Sequence, residues 1–140
     1  MEELTPQAIK RYAKKTIPQL IKIATVHFNL FIRTRDQGKP CISCGKYKKL
    51  EAGHFYPAHN HSEVRFDEHN VNGECKQCNN YSGEHLIGYE KRLISRIGQE
   101  AVDKIHFKVQ VAKRTSYKWD RFSLIEIIET YKQKNSSGRA

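Results

Sequence analysis

Cys41-Ile42-Ser43-Cys44-Gly45 and Cys75-Lys76-Gln77-Cys78-Asn79 frame the stretch that decides this fold, and Glu51-Ala52-Gly53-His54-Phe55 lies between them. The chain has 4 cysteines, and all of them fall in the two pairs. Two CxxC turns present four thiolates, the number and kind of ligand that close a tetrahedral shell around one Zn²⁺. A shell closed by four protein ligands leaves no open position, so a zinc held there is structural. A thioredoxin-like reading of either pair lacks the surrounding βαβ pattern. The segment between the pairs, residues 45–74, is long for a simple zinc ribbon and carries His54, His59, His61 and His69. The pattern reads as a metal-stapled scaffold whose long loop carries chemistry.

The chain has 140 residues and 38% hydrophobic content. That fits one domain, residues 1–140, with a limited core that a metal staple would help hold together. Within it we expect an N-terminal helical region over 1–38, a metal-bound core over 39–98, C-terminal helices over 99–134 and a frayed tail over 135–140. The formal net charge is +10. Four thiolates with one Zn²⁺ remove about two units of it, and the remaining basic excess favours a polyanionic partner, nucleic acid first. No stretch approaches the ~18 apolar residues needed to cross a membrane. Met1-Glu2-Glu3 lacks the basic-then-apolar order of a secretion signal, so a cytoplasmic protein without a membrane partner is expected.

Thr5-Pro6 predicts a helix start, with threonine at N-cap and proline at N1, and Pro18 kinks or restarts that helix. Leu20, Ile23, Ala24, His27, Phe28 and Phe31 form an apolar stripe, on which His27 reads as a packed core residue. Gly38 and Pro40 end it. Leu50–Tyr56 predicts a strand and Val64-Arg65-Phe66 a second one. Asn70-Val71-Asn72-Gly73 reads as a turn back towards Cys75, where a helix begins. The result is strand, loop, strand and helix, tied by the metal at both ends. Leu86, Tyr89, Leu93, Ile94 and Ile97 mark a helix ended by Gly98; Val102, Ile105 and Val109 mark another; Ser123-Leu124-Ile125-Glu126 is a capping box opening a last one.

Hydrolysis of a phosphodiester needs a base for the water, a cation for the phosphate charge and polar groups that fix the geometry. His54 suits the base, because a neutral imidazole is available near pH 7. Asn79, directly after Cys78, would be held by the zinc knuckle with its amide oxygen aimed at a hard cation such as Mg²⁺. Asn70 would orient His54 by a hydrogen bond from the loop.

These residues carry a resemblance. Cys41-Ile42-Ser43-Cys44-Gly45, Ala52-Gly53-His54-Phe55, Arg65-Phe66-Asp67-Glu68-His69-Asn70, Cys75-x-x-Cys78-Asn79, Ser82-Gly83, Tyr89 and Leu93 through Asp103 are similar, in register, to the NinG/Rap family of lambdoid phages. More distantly the pattern resembles the HNH or ββα-metal nucleases built on a zinc treble clef. The resemblance implies an α+β fold, a zinc-stapled treble-clef ββα-metal (HNH-like) core flanked by N- and C-terminal helices. It implies a phage recombination protein that cuts branched DNA, such as Holliday junctions and D-loops, with Mg²⁺ or Mn²⁺. By position, His54 takes the first histidine of the HNH pattern, Asn70 the central asparagine, and Asn79 the last place as catalytic-metal ligand. Cys41, Cys44, Cys75 and Cys78 take the structural zinc. Where many HNH enzymes have a metal-binding aspartate or histidine, this chain has Gly53. The missing ligand then comes from His59, His61, Glu63 or Glu74, or His54 itself binds the metal. Relatives often carry a long basic N-terminal extension, whose function is expected to be absent here or supplied elsewhere.

Phosphate contacts are expected from Arg33, Arg35, Lys46, Lys48, Lys49, Arg65, Arg114 and Lys118, and base stacking from Trp119 or Tyr117, with Trp119 packed under the last helix as the other reading. A homodimer would suit symmetric cutting, and other recombination proteins are candidate partners. The rival reading is a non-catalytic, zinc-stabilised DNA-binding accessory protein.

Overall fold

The structure, a computed structural model, describes residues 4–80, 84–115 and 117–137. Ser82-Gly83 of the resemblance and the last three residues of the expected frayed tail lie outside them. The elements in chain order are α1 (Pro6–Arg11), α2 (Ile17–Arg35), β1 (Leu50–His54), a 3-10 turn (Ser62–Val64), β2 (Val71–Cys75), α3 (Lys76–Asn79), α4 (Glu84–Ile97), α5 (Gln99–Thr115) and α6 (Arg121–Ser137). The chain falls into two compact units, one drawn from both ends, up to Phe31 and from Lys118 onward, and one of Ile32–Tyr117.

In the first unit the helix starts follow capping chemistry. The Thr5 hydroxyl accepts from the Ala8 N–H at 3.1 Å, with proline in the first turn. At α2 the cap is reciprocal: Gln19 N–H donates to the Thr16 hydroxyl at 3.2 Å while Thr16 N–H donates to the Gln19 side chain at 2.8 Å. Pro18 therefore restarts the chain rather than kinking it. Leu20, Ala24 and Phe28 of α2 are buried, as are Leu124, Ile125, Ile128 and Tyr131 of α6. The Tyr131 ring meets Phe28 edge-on at 4.9 Å and Phe31 at 5.1 Å. His27 is half-buried, and burial holds its pKa down, which keeps the imidazole neutral. The last helix begins before the expected capping box. Asp120 caps it, accepting from both the N–H and the hydroxyl of Ser123 at 2.8 and 2.9 Å.

In the second unit β1 and β2 pair antiparallel, with Glu51 opposite Glu74, Gly53 opposite Asn72 and His54 opposite Val71. Two expectations are corrected here. Val64-Arg65-Phe66 is not a strand but follows from a 3-10 turn, and Val71-Asn72-Gly73 is not a turn but the start of β2. Every residue of β2 is buried, so tertiary pairing overrides the local turn signal of Asn-Gly. The Asn72 amide is satisfied by the His69 carbonyl at 3.1 Å and the Tyr89 hydroxyl at 3.2 Å. Ile42, Phe55, Val64, Tyr89, Leu93, Val102, Ile105 and Val109 form one core beneath this sheet and its loop.

Arg35 is also corrected, from an expected phosphate contact to an internal tie. Its guanidinium donates to both Asp36 oxygens (2.8 and 2.9 Å), the Glu68 and Val71 carbonyls (2.9 Å each) and the Asn72 side chain (3.2 Å). Asp36 is fully buried and also accepts the Gly73 N–H at 2.7 Å. Burial alone would raise this carboxyl, but the Arg35 guanidinium and the Gly73 N–H hold it below the ordinary carboxylate range. It therefore stabilises the fold above the unfolded value near 3.9, and that contribution is lost as the pH falls through the lower folded value. Asp36→Asn should cost on the order of 3 kcal/mol at neutral pH. Urea unfolding should show the gap from the parent narrowing below about pH 4.

Candidate metal centre and candidate active site

The two knuckles meet because the sheet brings their ends together. Cys75 is the last residue of β2 and the N-cap of α3, which carries Cys78 into position one turn later. Across from it, the Ile42 N–H donates to the Gly73 carbonyl at 3.0 Å, fastening the first knuckle beside β2. Gly45 turns that knuckle with φ +75°, and a Cβ there would come within 2.8 Å of the Arg92 guanidinium. Arg92 in turn donates to the Ser43 carbonyl at 2.6 Å. The sulfur atoms of Cys41, Cys44, Cys75 and Cys78 all lie within 4.8 Å of one another. Tetrahedral Zn–S bonds of about 2.3 Å need sulfurs roughly 3.8 Å apart, so the four can hold a metal ion such as zinc. The Cys75 N–H points at the Cys41 sulfur at 3.3 Å, a donor that favours thiolate.

The thiols resist ionising together. Burial pushes Cys41 and Cys78 up, and the neighbouring sulfurs push Cys78 further. At Cys44 burial is outweighed by the Lys46 N–H and the adjoining thiols, which bring it down to about 7. A cation between them removes this conflict. Among the described residues no other three His, Cys, Asp or Glu side chains converge in this way.

His54 ends β1 and its Nε2 lies 3.0 Å from the Arg65 carbonyl. A carbonyl only accepts, so Nε2 carries the proton and Nδ1 keeps the lone pair. Burial lowers the His54 pKa, as does the Arg65 charge, against the Arg65 carbonyl that raises it. Asn70 is fully buried. Its Nδ2 donates to the Tyr56 and Val64 carbonyls at 3.1 Å each and its Oδ1 accepts the Tyr56 N–H at 2.9 Å. The expected Asn70–His54 hydrogen bond is therefore not made, because the amide is fully engaged by backbone. Asn70 instead closes the loop that delivers the Arg65 carbonyl to His54.

Asn79 is exposed at the end of α3 and donates to Glu51 Oε1 at 3.0 Å. Glu51 pairs across the sheet with Glu74, which is buried and accepts from the Ser43 hydroxyl. Burial, and then the Glu51 charge, raise the Glu74 carboxyl, against the Ser43 hydroxyl and His85. Gly53 now has a physical reason. A Cβ at this position would sit 2.2 Å from Glu74 Oε1 and 2.6 Å from Glu74 Cβ, so the Glu74 side chain crosses the space that a residue-53 side chain would fill. Strand alternation sets His54 on the opposite face from Glu51 and Gly53. The structure thus brings Asn79 to Glu51, sets Glu74 opposite Glu51 in the sheet, and leaves His54 on the other face of the strand. Glu51 was absent from the sequence-derived site; its signal was a carboxylate two residues before the Gly53-His54 pair, on the strand's own period.

The remaining candidates scatter. His59 is exposed, while His61 is half-buried, with its ring 4.9 Å from Tyr56 and its Nδ1 3.7 Å from Glu63. Arg33, Lys48 and Lys49 line a cleft of ≈ 280 Å³ with Gln37, and Lys46 is exposed nearby in the chain. Arg65 is half-buried, its Nη2 3.4 Å from the Ala58 carbonyl. Arg114 is exposed at the end of α5, whereas Lys118 and half-buried Trp119 belong to the first unit.

The sequence profile of the family described as "Bacteriophage Lambda NinG protein" matches residues 2–139. Curated relatives described as "Protein ninG" include those of Escherichia phage 933W and Escherichia phage lambda, each 37% identical over 128 residues, and that of Salmonella phage P22, 35% identical over 128 residues. Each alignment covers 90% of this chain but only 61%, 60% and 61% of these relatives in turn. The chain thus spans about three fifths of the length of the curated relatives it matches. No solved structure matches it.

Removing one ligand tests the cluster. Cys78→Ser should lower bound zinc from about one equivalent per chain towards none, and should lower the thermal midpoint of the second unit, read by colorimetric zinc release and circular dichroism.

Proposed function

The chain belongs to the bacteriophage lambda NinG family, and from that premise we propose that it is a Mg²⁺-dependent endonuclease of phage recombination that cuts branched DNA such as Holliday junctions and D-loops. One observation carries the reading: the residue that follows the second knuckle, Asn79, is hydrogen-bonded to Glu51 opposite Glu74. Amide and carboxylate oxygens are the donors a hard cation takes, and they stand beside a cluster of soft sulfurs that suits zinc. Mg²⁺ or Mn²⁺ would be held by Asn79 with Glu51 and Glu74, and would supply Lewis-acid stabilisation of the phosphate charge. Glu74 then fills the role that the HNH pattern gives to the side chain missing at Gly53.

His54 supplies the base. With Nε2–H held by the Arg65 carbonyl, Nδ1 takes the proton of the attacking water. Lowering its pKa keeps the imidazole in the basic form under mildly acidic conditions. Asn70 acts through the loop, as a positioning residue. Arg33, Lys48 and Lys49 offer phosphate contacts that give affinity without base readout. No described helix is long and apolar enough to cross a membrane, and the proposed place of action is the infected cell's DNA, with a homodimer and other recombination proteins as proposed partners. The rival, a non-catalytic accessory protein, draws on the separation of His54 from the Asn79–Glu51 pair across the strand.

Cleavage of a labelled four-way junction separates the two. Mg²⁺-dependent cutting is expected, reduced about 10²–10⁴-fold in zinc-loaded His54→Gln. The acid limb of the rate profile should fall at a pH below about 6.5, the ordinary histidine value. Binding without cutting in any divalent cation would support the accessory role instead.

A further inference from the structure

Helix α5 carries an apolar stripe on its outer side. Phe107, Val111 and Thr115 recur at four-residue spacing. Phe107 is 69% exposed, Val111 44%, and Tyr117, two residues past the helix, 42%. With Glu63 of the 3-10 turn and Lys108 they line a cavity of ≈ 310 Å³. An exposed apolar patch with a charged rim marks a binding surface. This volume lies at the small end of ligand clefts, about 300–1,000 Å³, which suits one planar ring system rather than a peptide helix.

The rim is basic. Lys104 lies one turn before Phe107 and Lys108, and Arg114 lies nearly one turn after Val111, with Lys113 beside it. Lys108 is fixed by Asp67 at 2.7 Å, which ties α5 to the loop that carries the 3-10 turn. That same loop leads from Glu63 to Arg65, whose carbonyl holds His54. Aromatic faces with cationic neighbours are the recurring solution for holding unpaired bases.

We propose that this cavity receives one unstacked nucleobase at the branch point of a DNA substrate, stacked on Phe107 and Tyr117. The proposal rests on the DNA-cutting reading above and adds the place where branching is sensed. Lys104 and Arg114 meet the flanking phosphates. The Glu63 carboxylate accepts a hydrogen bond from an exocyclic amino group, which favours cytosine, adenine and guanine over thymine, the one base without such a group. Fully paired DNA offers no such base without the energy of unstacking, whereas a junction or flap does.

The test is equilibrium binding in the absence of Mg²⁺, using a flap DNA, the same flap with an abasic site at its first unpaired position, and the fully paired duplex. Phe107→Ala should weaken flap binding about tenfold, leave duplex binding unchanged, and keep the parent's thermal midpoint because the side chain is exposed. Phe107→Trp should retain flap affinity. The abasic flap should bind the parent as weakly as the intact flap binds Phe107→Ala, with no further loss in that variant. Equal losses on flap and duplex, or no loss on the flap, would overturn the proposal. The second outcome is the one expected if the patch docks a protein. If the parent binds none of the three DNAs, the DNA-cutting reading falls as well; if it binds them but Phe107→Ala behaves as the parent, only the base pocket falls.

Discussion

Four cysteine sulfurs gathered within 4.8 Å are the constraint on which the rest of the second unit depends. One pair lies in a turn fastened to β2 through Ile42, and the other closes β2 and opens α3. A bridge between residues so far apart in sequence restricts the unfolded chain and fixes where α3 can start. Because α3 is a single turn, the position of Asn79 follows directly from that of Cys78. The Asn79–Glu51 contact is thus a consequence of the cluster rather than of helix stability, since four residues do not hold a helix alone.

The same geometry places sulfur and carboxylate side chains in adjacent parts of the sheet. The four cysteines gather at one end of the sheet, three of them buried and Cys44 half-buried, and their thiolates would repel one another. On the neighbouring rungs Glu51 faces Glu74, whose carboxyl is raised by burial first and then by the Glu51 charge. In a chain of net charge +10, buried Glu74 opposite half-buried Glu51 is a local pairing of like charges. Its electrostatic strain is relieved by a proton or by a hard cation. The proposed hard-cation site rests on this pair, with the His54 imidazole on the opposite face of the same strand.

The metal cluster, β1, the starts of α1 and α3 and the end of α4 at Gly98 were legible in the sequence because each is written locally. CxxC spacing, Thr5-Pro6 and helical apolar stripes need no knowledge of the partner segment. The parts that were not legible depend on pairing. Asn72-Gly73 has the composition of a turn, yet Tyr89 and the His69 carbonyl satisfy Asn72 inside a buried strand. Arg35 has the composition of a phosphate contact, yet Asp36 and the carbonyls of Glu68 and Val71 take its guanidinium. Gly53 read as a lost ligand; the structure shows the Glu74 side chain passing through its place. Membership of the NinG family was legible from motifs because those motifs are short and rigidly spaced.

The most direct test of the account is the zinc K-edge absorption spectrum of the purified protein. It should show four sulfur neighbours at about 2.3 Å and no nitrogen or oxygen in the first shell. Fewer than four sulfurs, or a histidine nitrogen among the ligands, would contradict a sulfur-only cluster and remove the reason for Asn79 to stand where it does.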